Sequence, residues 1–318
     1  MSTNQLKEPL IFMIPAVKIS GLSKSYGSLV ALDNVDLTIE KGNFFGLLGP
    51  NGAGKSTLIN IMSGLARASN GYIEVMGHNV RSDWRKTRMT LGVVPQELAY
   101  DPFFTVREML RLQSGYFGLG SSNYEWIEEI LFHLDLSNKA KENIGNLSGG
   151  MKRRLLIAQA LVHKPEVVVL DEPTAGVDVE LRRSLWKYFR KLNKKGQTII
   201  LTTHYLEEAE INCDRIGILN HGKLKAVEEK SILLNRYPYR LLNLRLQDGS
   251  FKKIPQGIKE KIVSAENGDI SLRLHRENDK IGSIMEELHN ANIKIIDLHT
   301  KDPGLEEIFM SLTGKENV

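Results

Sequence analysis

A glycine-rich segment that could bind phosphate lies near the start of the chain. It consists of Gly49, Pro50, Asn51, Gly52, Ala53, Gly54, Lys55, Ser56 and Thr57, in the pattern G-x-x-x-x-G-K-S/T. Glycines let backbone N–H groups approach phosphate oxygens without hindrance from a Cβ atom. Lys55 would then reach the β- and γ-phosphates of a nucleotide, and the Ser56 hydroxyl would bind Mg²⁺. The alternative is an ordinary glycine-rich turn, but a strand pattern precedes the segment and a helical pattern follows it, which favours phosphate binding.

Two adjacent carboxylates follow a second apolar run. Asp171 and Glu172 come directly after residues 167–170, which are all valine or leucine. In a doubly wound sheet, ligands bind beyond the carboxyl ends of the strands. We therefore expect Asp171 to support Mg²⁺ through coordinated water, and Glu172 to act on an attacking water as a general base. A solvated acidic turn would explain the two residues alone, but the phosphate loop in the same chain favours the chemical interpretation.

A second candidate anion site begins at Ser148-Gly149-Gly150, ahead of a helical pattern over residues 152–161. A serine cap and two glycines leave the N–H groups of a helix N-terminus open to an anion. The chain therefore contains two predicted phosphate-binding elements but only one glycine-rich lysine loop and one acidic strand end.

The elements around these motifs predict an α/β fold with a parallel sheet. Continuous apolar strands that alternate with helices are typical of a sheet covered on both faces. The predicted strands are residues 17–19, 35–39, 44–48, 73–75, 167–170, 198–201 and 215–219. The predicted helices are residues 58–65, 109–112, 127–134 and 181–192, within a middle region (97–165) that is mostly helical.

The pattern changes after residue 236 and predicts a small α+β domain. Asp248-Gly249 predicts a hairpin turn, after which Phe251 and Ile254 would continue in the next strand. Asp302-Pro303 predicts the cap and first turn of a helix. The other predicted elements are strands at 242–246, 270–274 and 293–296, a helix at 281–288 and an apolar helix stripe at 305–312.

Composition excludes several classes of protein. The chain has 318 residues, of which 42% are hydrophobic and 25% charged, with a formal net charge of +4. These values are ordinary for a globular protein and give little reason to expect nucleic-acid binding. A single cysteine, Cys213, excludes an internal disulfide framework, and the eight histidines form no ligand cluster. The apolar stretch at 9–17 is too short to span a membrane, so a membrane process would need another chain.

Taken in order, the three motifs resemble those of the ATP-binding-cassette (ABC) family of transport ATPases. The resemblance covers residues 17–236 and implies a P-loop NTPase cassette with ATP and Mg²⁺ as cofactors. Such a cassette has a RecA-like parallel-sheet core, an antiparallel β-subdomain and a helical subdomain. Residues 1–16 would then be an N-terminal leader, and residues 237–318 a C-terminal accessory α+β domain.

The same resemblance implies roles for residues outside the three motifs. Tyr26 matches the aromatic residue that stacks on adenine, although a packing tyrosine in a turn is the alternative. Gln96 matches the glutamine that senses Mg²⁺ and the attacking water. Asp178 matches the aspartate that communicates across a dimer, and His204 matches the histidine at the γ-phosphate.

In this family two cassettes close head-to-tail on ATP, so the resemblance implies a dimer of this chain. Ser148, Gly149 and Gly150 would act in trans and complete the ATP site of the second copy. The family's signature commonly ends in glutamine, whereas this sequence has Met151, which cannot donate an amide hydrogen bond.

The stretch 202–210 is similar to the subfamily that pairs with ABC-2-type permeases, which are mostly exporters. The implied partner is an integral membrane permease, with this chain peripheral on the cytoplasmic face of the inner membrane and no nucleic acid bound. The alternative is a soluble ABC ATPase that acts on ribosomes or nucleic acid. Ribosomal members carry two cassettes, and DNA-repair members insert long heptad segments, and neither feature occurs in this sequence.

Two further patterns leave alternatives open. The aromatic-rich region after Gln96 corresponds to the family's groove for a permease helix, but core packing would explain the same residues. They are Tyr100, Phe103, Phe104 and Met109. The basic run 151–154 could contact nucleic acid, but a solvated helix face with charge near phosphate is favoured because the overall basic excess is small.

Overall fold

The computed structural model describes residues 14–97, 101–235, 238–247, 253–266, 269–301 and 304–314. The chain divides into two compact units, Met1–Glu228 and Glu229–Val318. Within the described ranges, no helix has both the length and the apolar character needed to cross a membrane.

The first unit contains both strands and helices. The strands are β1 (Val17–Tyr26), β2 (Leu29–Ile39), β3 (Phe44–Leu48), β4 (Asn70–Val75), β5 (His78–Asn79), β6 (Leu91–Val94), β7 (Val167–Asp171), β8 (Thr198–Thr202), β9 (Arg215–Asn220) and β10 (Lys223–Glu229). The helices are α1 (Lys55–Met62), α2 (Trp84–Thr90), α3 (Val106–Tyr116), α4 (Tyr124–His133), α5 (Gly149–Leu161), α6 (Val179–Lys194) and α7 (Leu206–Asn212).

A mainly parallel sheet with the order β10-β9-β3-β8-β7-β6 forms the centre of this unit. Strand β3 pairs in parallel with β8 and β9, and β7 pairs in parallel with β6 and β8. All residues of β3 and β8 are buried, as expected for strands covered on both faces. Because these strands are parallel, the segments after β3, β7 and β8 leave the sheet at the same edge.

A separate antiparallel sheet has the order β2-β1-β4-β5. Its alternating buried residues join one hydrophobic core with helix α1. Helix α1 is shorter than predicted. It ends at Met62, because Gly64 follows with a φ of +76°, a left-handed conformation that favours glycine after a helix. Leu65, predicted on the apolar stripe of this helix, lies beyond it and is exposed.

The prediction that the middle region, residues 97–165, is mostly helical is confirmed. Helices α3, α4 and α5 pack against one another. Thr105 and Glu108 form a capping box at the start of α3, which satisfies N–H groups that the helix leaves unpaired. Leu110, Ile130 and Leu131 are fully buried between these helices.

The second unit contains helices and one antiparallel sheet, and it begins at Glu229, whereas the sequence predicts a boundary after residue 236. Its elements are α8 (Lys230–Asn235), β11 (Tyr239–Leu246), α9 (Gln256–Lys259), β12 (Ile262–Glu266), β13 (Asp269–His275), α10 (Ile281–Asn290), β14 (Ile295–Lys301) and α11 (Leu305–Thr313). The sheet has the order β12-β13-β11-β14, with antiparallel pairing throughout. Its core consists of alternating leucines and isoleucines of β11 and β13, with Ile284 and Leu288 of α10.

Several local predictions for this unit differ from the structure, and the strand predicted at 293–296 is observed as β14, which begins at Ile295. Ile254 is not in a strand; it lies in a bend before α9 and is buried in the core, because β11 pairs with β13 and β14 instead. The proposed hairpin turn at 248–249 and Phe251 lie outside the described residues, as do Asp302 and Pro303. The N-cap of α11 is Gly304, whose N–H donates to the Glu307 carboxylate at 2.8 Å.

Candidate active site

The glycine-rich loop connects the buried strand β3 to helix α1. Gly54 has a φ of +109°, and a Cβ atom there would lie 2.5 Å from the carbonyl oxygen of Ala31. A Cβ at Gly49 would lie 2.4 Å from the carbonyl oxygen of Leu219. Both distances are too short for any side chain, so the loop depends on glycine at these positions.

Lys55 begins α1 and directs its ammonium group back across this loop. Nζ donates to the carbonyl oxygens of Gly49 at 2.6 Å and Pro50 at 3.1 Å, and the residue is 7% exposed. Burial lowers the pKa of Lys55, while the nearby charges of Glu172 and Asp171 act in the opposite direction. The loop therefore combines a buried cation with a helix N-terminus, the arrangement that favours a phosphate ligand.

Asp171 ends strand β7 and is partly buried. Its Oδ1 accepts a hydrogen bond from the hydroxyl of Thr202 on the neighbouring strand β8. Burial raises the pKa of the Asp171 carboxyl, and the charge of Glu172 acts in the same direction. Lys55 and Arg153 oppose this shift by placing positive charge nearby. Because the pKa of this carboxyl is raised, a further cation beside it would stabilise its charged form.

The donor chemistry at this edge fits Mg²⁺. Asp171 supplies a carboxylate, Ser56 an exposed hydroxyl at the start of α1 and Gln96 a side-chain amide. Across the described ranges, no group of three or more His, Cys, Asp or Glu side chains could hold a metal ion. Mg²⁺ does not need such a group, because it is usually held by one or two carboxylates together with substrate phosphates and water.

Glu172 is the centre of the predicted catalytic group. Its Oε2 accepts a hydrogen bond from Gln96 Nε2 at 3.0 Å, and its Oε1 lies 3.1 Å from Nδ1 of His204. The Glu172 side chain is 12% exposed, and that of His204 is 46% exposed. Glu172 also has a φ of +47°, an uncommon conformation for a residue with a side chain. The three residues predicted as catalytic therefore meet at one carboxylate.

Arg153 of helix α5 is a site residue that the sequence analysis missed. It donates hydrogen bonds to five backbone carbonyl oxygens, those of Pro95 (2.6 Å), Gln96 (2.9 Å), Asp171 (3.1 Å), Pro173 (2.9 Å) and Glu172. Arg153 is 3% exposed, and burial lowers its pKa while the charges of Asp171 and Glu172 raise it. One guanidinium thus joins the loop of Gln96 to the loop of Glu172.

The interpretation of residues 151–154 as a solvated helix face is therefore wrong for both arginines. Arg154 is also largely covered, and its Nη1 donates to the carbonyl oxygens of Leu134 and Asp135, each at 3.1 Å. The sequence did carry a signal for Arg153, because it lies on the same helical stripe as Ile157 and Ala160, both buried.

Ser148 caps helix α5. Its hydroxyl accepts a hydrogen bond from Met151 N at 3.3 Å, and both Ser148 and Gly149 are exposed. A Cβ atom at Gly149 would meet no atom within 4 Å among the described residues, whereas one at Gly150 would lie 3.1 Å from Leu181 Cδ2. The space around Gly149 is therefore open on this chain.

Tyr26 and Asp178 lie on other elements, at the end of β1 and at the start of α6. Tyr26 ends β1, is 48% exposed, and has Lys24 Nζ 4.6 Å from its ring centroid. Asp178 caps α6 by accepting a hydrogen bond from Leu181 N at 2.9 Å. Within the part of the chain that the structure describes, no hydrogen bond or ion pair joins Tyr26, Asp178 or Ser148 to Glu172.

In the aromatic-rich region after Gln96, some residues fit core packing and others fit a groove for a permease helix. Met109 of α3 is buried, so core packing accounts for it. Phe103 is 86% exposed and is available to a partner. Phe104 is half-buried, and Tyr100 lies outside the described residues.

Comparisons with known proteins agree with this geometry. The family described as ABC transporter matches residues 32–175. The linearmycin resistance ATP-binding protein LnrL of Bacillus subtilis (strain 168) is 34% identical, over 94% of this chain and 98% of that protein. The Nod factor export ATP-binding protein I of Rhizobium sp. (strain N33) is 36% identical, over 95% of this chain and 98% of that protein. The chain belongs to the ABC transporter family as an ATP-binding subunit.

Solved structures of ABC cassettes share the fold. The structure of an ATP-binding subunit of an ABC transporter matches 70% of this chain and 93% of its own, with a TM-score of 0.66 and 28% identity. A dimeric ABC cassette in a post-hydrolysis state, bound to ADP and Pi, matches 67% of this chain and 98% of its own, with a TM-score of 0.62 and 28% identity. The predicted ABC cassette fold and ATPase activity are therefore confirmed, and the name of the Rhizobium relative states Nod factor export.

Proposed function

We propose that two copies of this ABC subunit close on ATP and drive export through a separate ABC-2-type permease. The observation that carries this proposal is the meeting of Gln96 and His204 on the carboxylate of Glu172, beside the lysine loop. The export assignment is supported by relatives whose names state Nod factor export and linearmycin resistance.

In the proposed reaction, Lys55 and the N-terminus of α1 hold the phosphates of ATP. Glu172 accepts a proton from the attacking water, and Gln96, whose Nε2 donates to Glu172 Oε2 at 3.0 Å, orients that water. His204, which is half exposed beside Glu172, contacts the γ-phosphate. Tyr26 stacks on adenine with the ring face that Lys24 does not cover.

Mg²⁺ would be held by Ser56, Asp171 and Gln96. When bound, the ion neutralises charge on the β- and γ-phosphates. Asp171 suits this role because burial raises its pKa, so a cation beside it favours the charged form. Thr202 orients the carboxylate from the neighbouring strand.

The signature would act in trans. Ser148 and Gly149 lie exposed at the N-terminus of α5 and Gly150 follows them, so the N–H groups of this helix end are open to an anion. No atom of the described residues crowds Gly149, so a need for glycine there would come from a ligand or from a second copy. Asp178, at the start of α6, would communicate between the copies.

The permease would place this subunit on the cytoplasmic face of the inner membrane as a peripheral component. The relatives support a transport role, and the exposed Phe103 supports contact with a helix of the permease. Nothing in the site favours nucleic acid, since both arginines of the basic run are bound within the protein.

The decisive experiment uses Glu172→Gln with and without Ser148→Arg. Glutamine keeps the size of Glu172 and can accept from Gln96, but it cannot accept a proton from water. Loss of a positioned general base typically slows a reaction by about 10²–10⁴-fold. ATP should still bind, and the variant should accumulate as an ATP-dependent dimer in size-exclusion chromatography with light scattering, repeated with the permease if association is weak.

Ser148→Arg is the matched test of the trans signature. A bulky side chain at the α5 N-terminus cannot enter the nucleotide site of a second copy, so the dimer should be lost while ATP binding by each copy remains. Hydrolysis by Glu172→Gln at the wild-type rate would remove Glu172 from the mechanism. A dimer that responds to neither ATP nor Ser148→Arg would refute the sandwich arrangement.

A further inference from the structure

Helix α6 carries a stripe of basic side chains on the face opposite its buried one. Leu185, Phe189 and Leu192 are buried on the inner face. The other stripe follows the i, i+3, i+4 spacing of a single helix face over four turns. It consists of Val179, Arg182, Arg183, Lys187, Arg190, Lys191 and Lys194, with the buried Trp186 beneath them.

This stripe lines a groove of about 1300 Å³ between α6, the end of α4 and α7. We call it the α6 groove; besides the stripe, it is lined by Phe132, His133, Ser184, Tyr188, Lys195, Glu207, Glu208, Ile211 and Asn212. Pockets for small molecules usually have about 300–1,000 Å³. The α6 groove is larger and open along a helix of 16 residues, which is about 24 Å, so it fits a polypeptide segment better than a small ligand.

Positive charge is concentrated in the α6 groove. Seven lysines and arginines line it, against two glutamates, whereas the whole chain has a net charge of only +4. The remainder of the protein is therefore close to neutral. Arg183, Lys187 and Lys194 make no ion pair within the described residues, so their charge is not neutralised by a neighbour of this chain. A groove with this charge attracts carboxylates.

The α6 groove also presents apolar and aromatic contacts. Phe132, Val179 and Ile211 at its rim are each more than half exposed. In its floor, Trp186 Nε1 and the Tyr188 hydroxyl are buried and have no hydrogen-bond partner among the described residues. Both groups are donors, so a carboxylate or carbonyl oxygen of a bound segment would satisfy them.

From this combination we propose that the α6 groove binds an acidic amphipathic helix of a partner protein. Aspartates and glutamates of that helix would face the basic stripe, while its apolar side chains would contact Phe132, Val179 and Ile211. A flat anionic membrane would not follow a concave groove, and the phosphates of a nucleic acid would gain nothing from the apolar rim. This proposal is independent of the proposed transport cycle, because it needs no ATP.

One edge of the α6 groove reaches the catalytic loops. Arg182 Nε lies 3.6 Å from Glu208, whose carboxylate accepts hydrogen bonds from Thr174 at 2.6 Å and Thr203 at 3.2 Å. Thr174 follows Glu172 by two positions, and Thr203 precedes His204. Test substitutions should therefore avoid Arg182 and Glu208 and use the central lysines of the stripe.

The test measures fluorescence anisotropy of a labelled acidic, leucine-containing amphipathic peptide, about as long as α6, with the full chain at physiological salt. The charge-reversal variant Lys187→Glu/Lys191→Glu should lower the affinity by about tenfold or more. The control Lys86→Glu/Lys141→Glu makes the same change in net charge at exposed lysines outside the α6 groove and should stay within about twofold of wild type. Both variants should retain the wild-type basal ATPase rate, which shows that they are folded.

Two further arms test the apolar contribution and the class of ligand. Phe132→Ser leaves the charge unchanged and should lower the affinity for the peptide several-fold. Replacement of the peptide's leucines by serine should lower the affinity to a similar extent. Equal affinity in wild type and Lys187→Glu/Lys191→Glu would overturn the proposal. So would equal binding of the serine peptide, or displacement of the peptide by duplex DNA, pyrophosphate or phosphatidylglycerol vesicles at lower concentrations than unlabelled peptide.

Discussion

Replacement of Arg153 by methionine should destabilise the cassette and slow hydrolysis more than it weakens ATP binding. Methionine keeps the apolar part of the side chain but is shorter than arginine and has no donor. The substitution leaves five backbone carbonyl oxygens in the loops of Gln96 and Glu172 without their guanidinium partner. It also removes a positive charge that offsets the charges of Asp171 and Glu172.

The size of the effect follows from these contacts. A buried acceptor that loses its partner costs about 1–3 kcal/mol, so five acceptors at the low end give about 5 kcal/mol. Removal of one member of a buried charged group typically costs about 3–5 kcal/mol, which agrees. For a unit of 228 residues, each kcal/mol corresponds to about 2–4 °C in Tm. The expected decrease in Tm is therefore about 6–20 °C.

Thermal unfolding and steady-state kinetics would check this prediction. Arg153→Lys keeps the charge but has one ammonium in place of the forked guanidinium, so we expect it to recover only part of the Tm and of kcat. Because Lys55 and the glycine-rich loop are untouched, the affinity for ATP should change less than kcat. A Tm within about 2 °C of wild type, with unchanged kcat, would show that Arg153 does not hold the two loops.

The remaining predictions concern single residues. Lys55→Ala should weaken ATP binding by roughly 10- to 100-fold, since a charged hydrogen-bond donor to phosphate is lost; a titration with a fluorescent nucleotide measures this. Burial lowers the pKa of His163 to about 4, so its neutral form stabilises the fold, and this contribution is lost as the pH falls from about 6.5 towards 4. Between about pH 7 and 5 the wild type should lose about 2 kcal/mol of unfolding free energy that His163→Gln does not lose, as measured by urea unfolding. Cys213 is 1% exposed, so Cys213→Ser should keep its ATPase activity if it folds; loss of activity in a folded protein would favour a redox role.

The parts of the fold that could be predicted are those where one local pattern determines the outcome. The buried run of β3 was predicted at its observed bounds because continuous apolar residues before a glycine-rich loop allow few alternatives. The helices α3, α4 and α6 were likewise predicted from apolar spacing, with errors only at their ends. Leu65 was assigned to α1 because its spacing fits a helix, whereas the backbone conformation of Gly64 decides where the helix ends.

What could not be predicted depends on contacts between distant segments. Ile254 lies outside the sheet because β11 pairs with β13 and β14. An alternating sequence pattern predicts a strand but does not predict its pairing partner. The sequence predicts a solvated Arg153, because charge usually indicates exposure. Its partners lie on loops about 20 and 58 positions away along the chain, so the energetic reason for its burial exists only in the folded protein.

Helix α5 connects the two halves of the proposed ATP sandwich. Its N-terminus carries Ser148, which would face the nucleotide of a second copy, and Arg153 lies little more than one turn further along the same helix. Arg153 holds the loops that carry Gln96 and Glu172 of the chain's own site. A rigid helix transmits a shift at one end to the other, so a nucleotide that pulls on Ser148 would also move those loops.

The start of α6 packs closely against the start of α5. Leu181 of α6 packs so closely on Gly150 that a Cβ atom on this glycine would lie 3.1 Å from the leucine side chain. Asp178 caps the same turn of α6 by accepting from Leu181 N. The signature and the Asp178 loop are therefore expected to move together. If an acidic helix binds the α6 groove, its effect on hydrolysis would pass through this contact or through Arg182 and Glu208. Arg153→Met breaks the connection from α5 to the catalytic loops and leaves the connection through Arg182 and Glu208 intact. The effect of a bound helix on hydrolysis in this variant would therefore report the second connection alone.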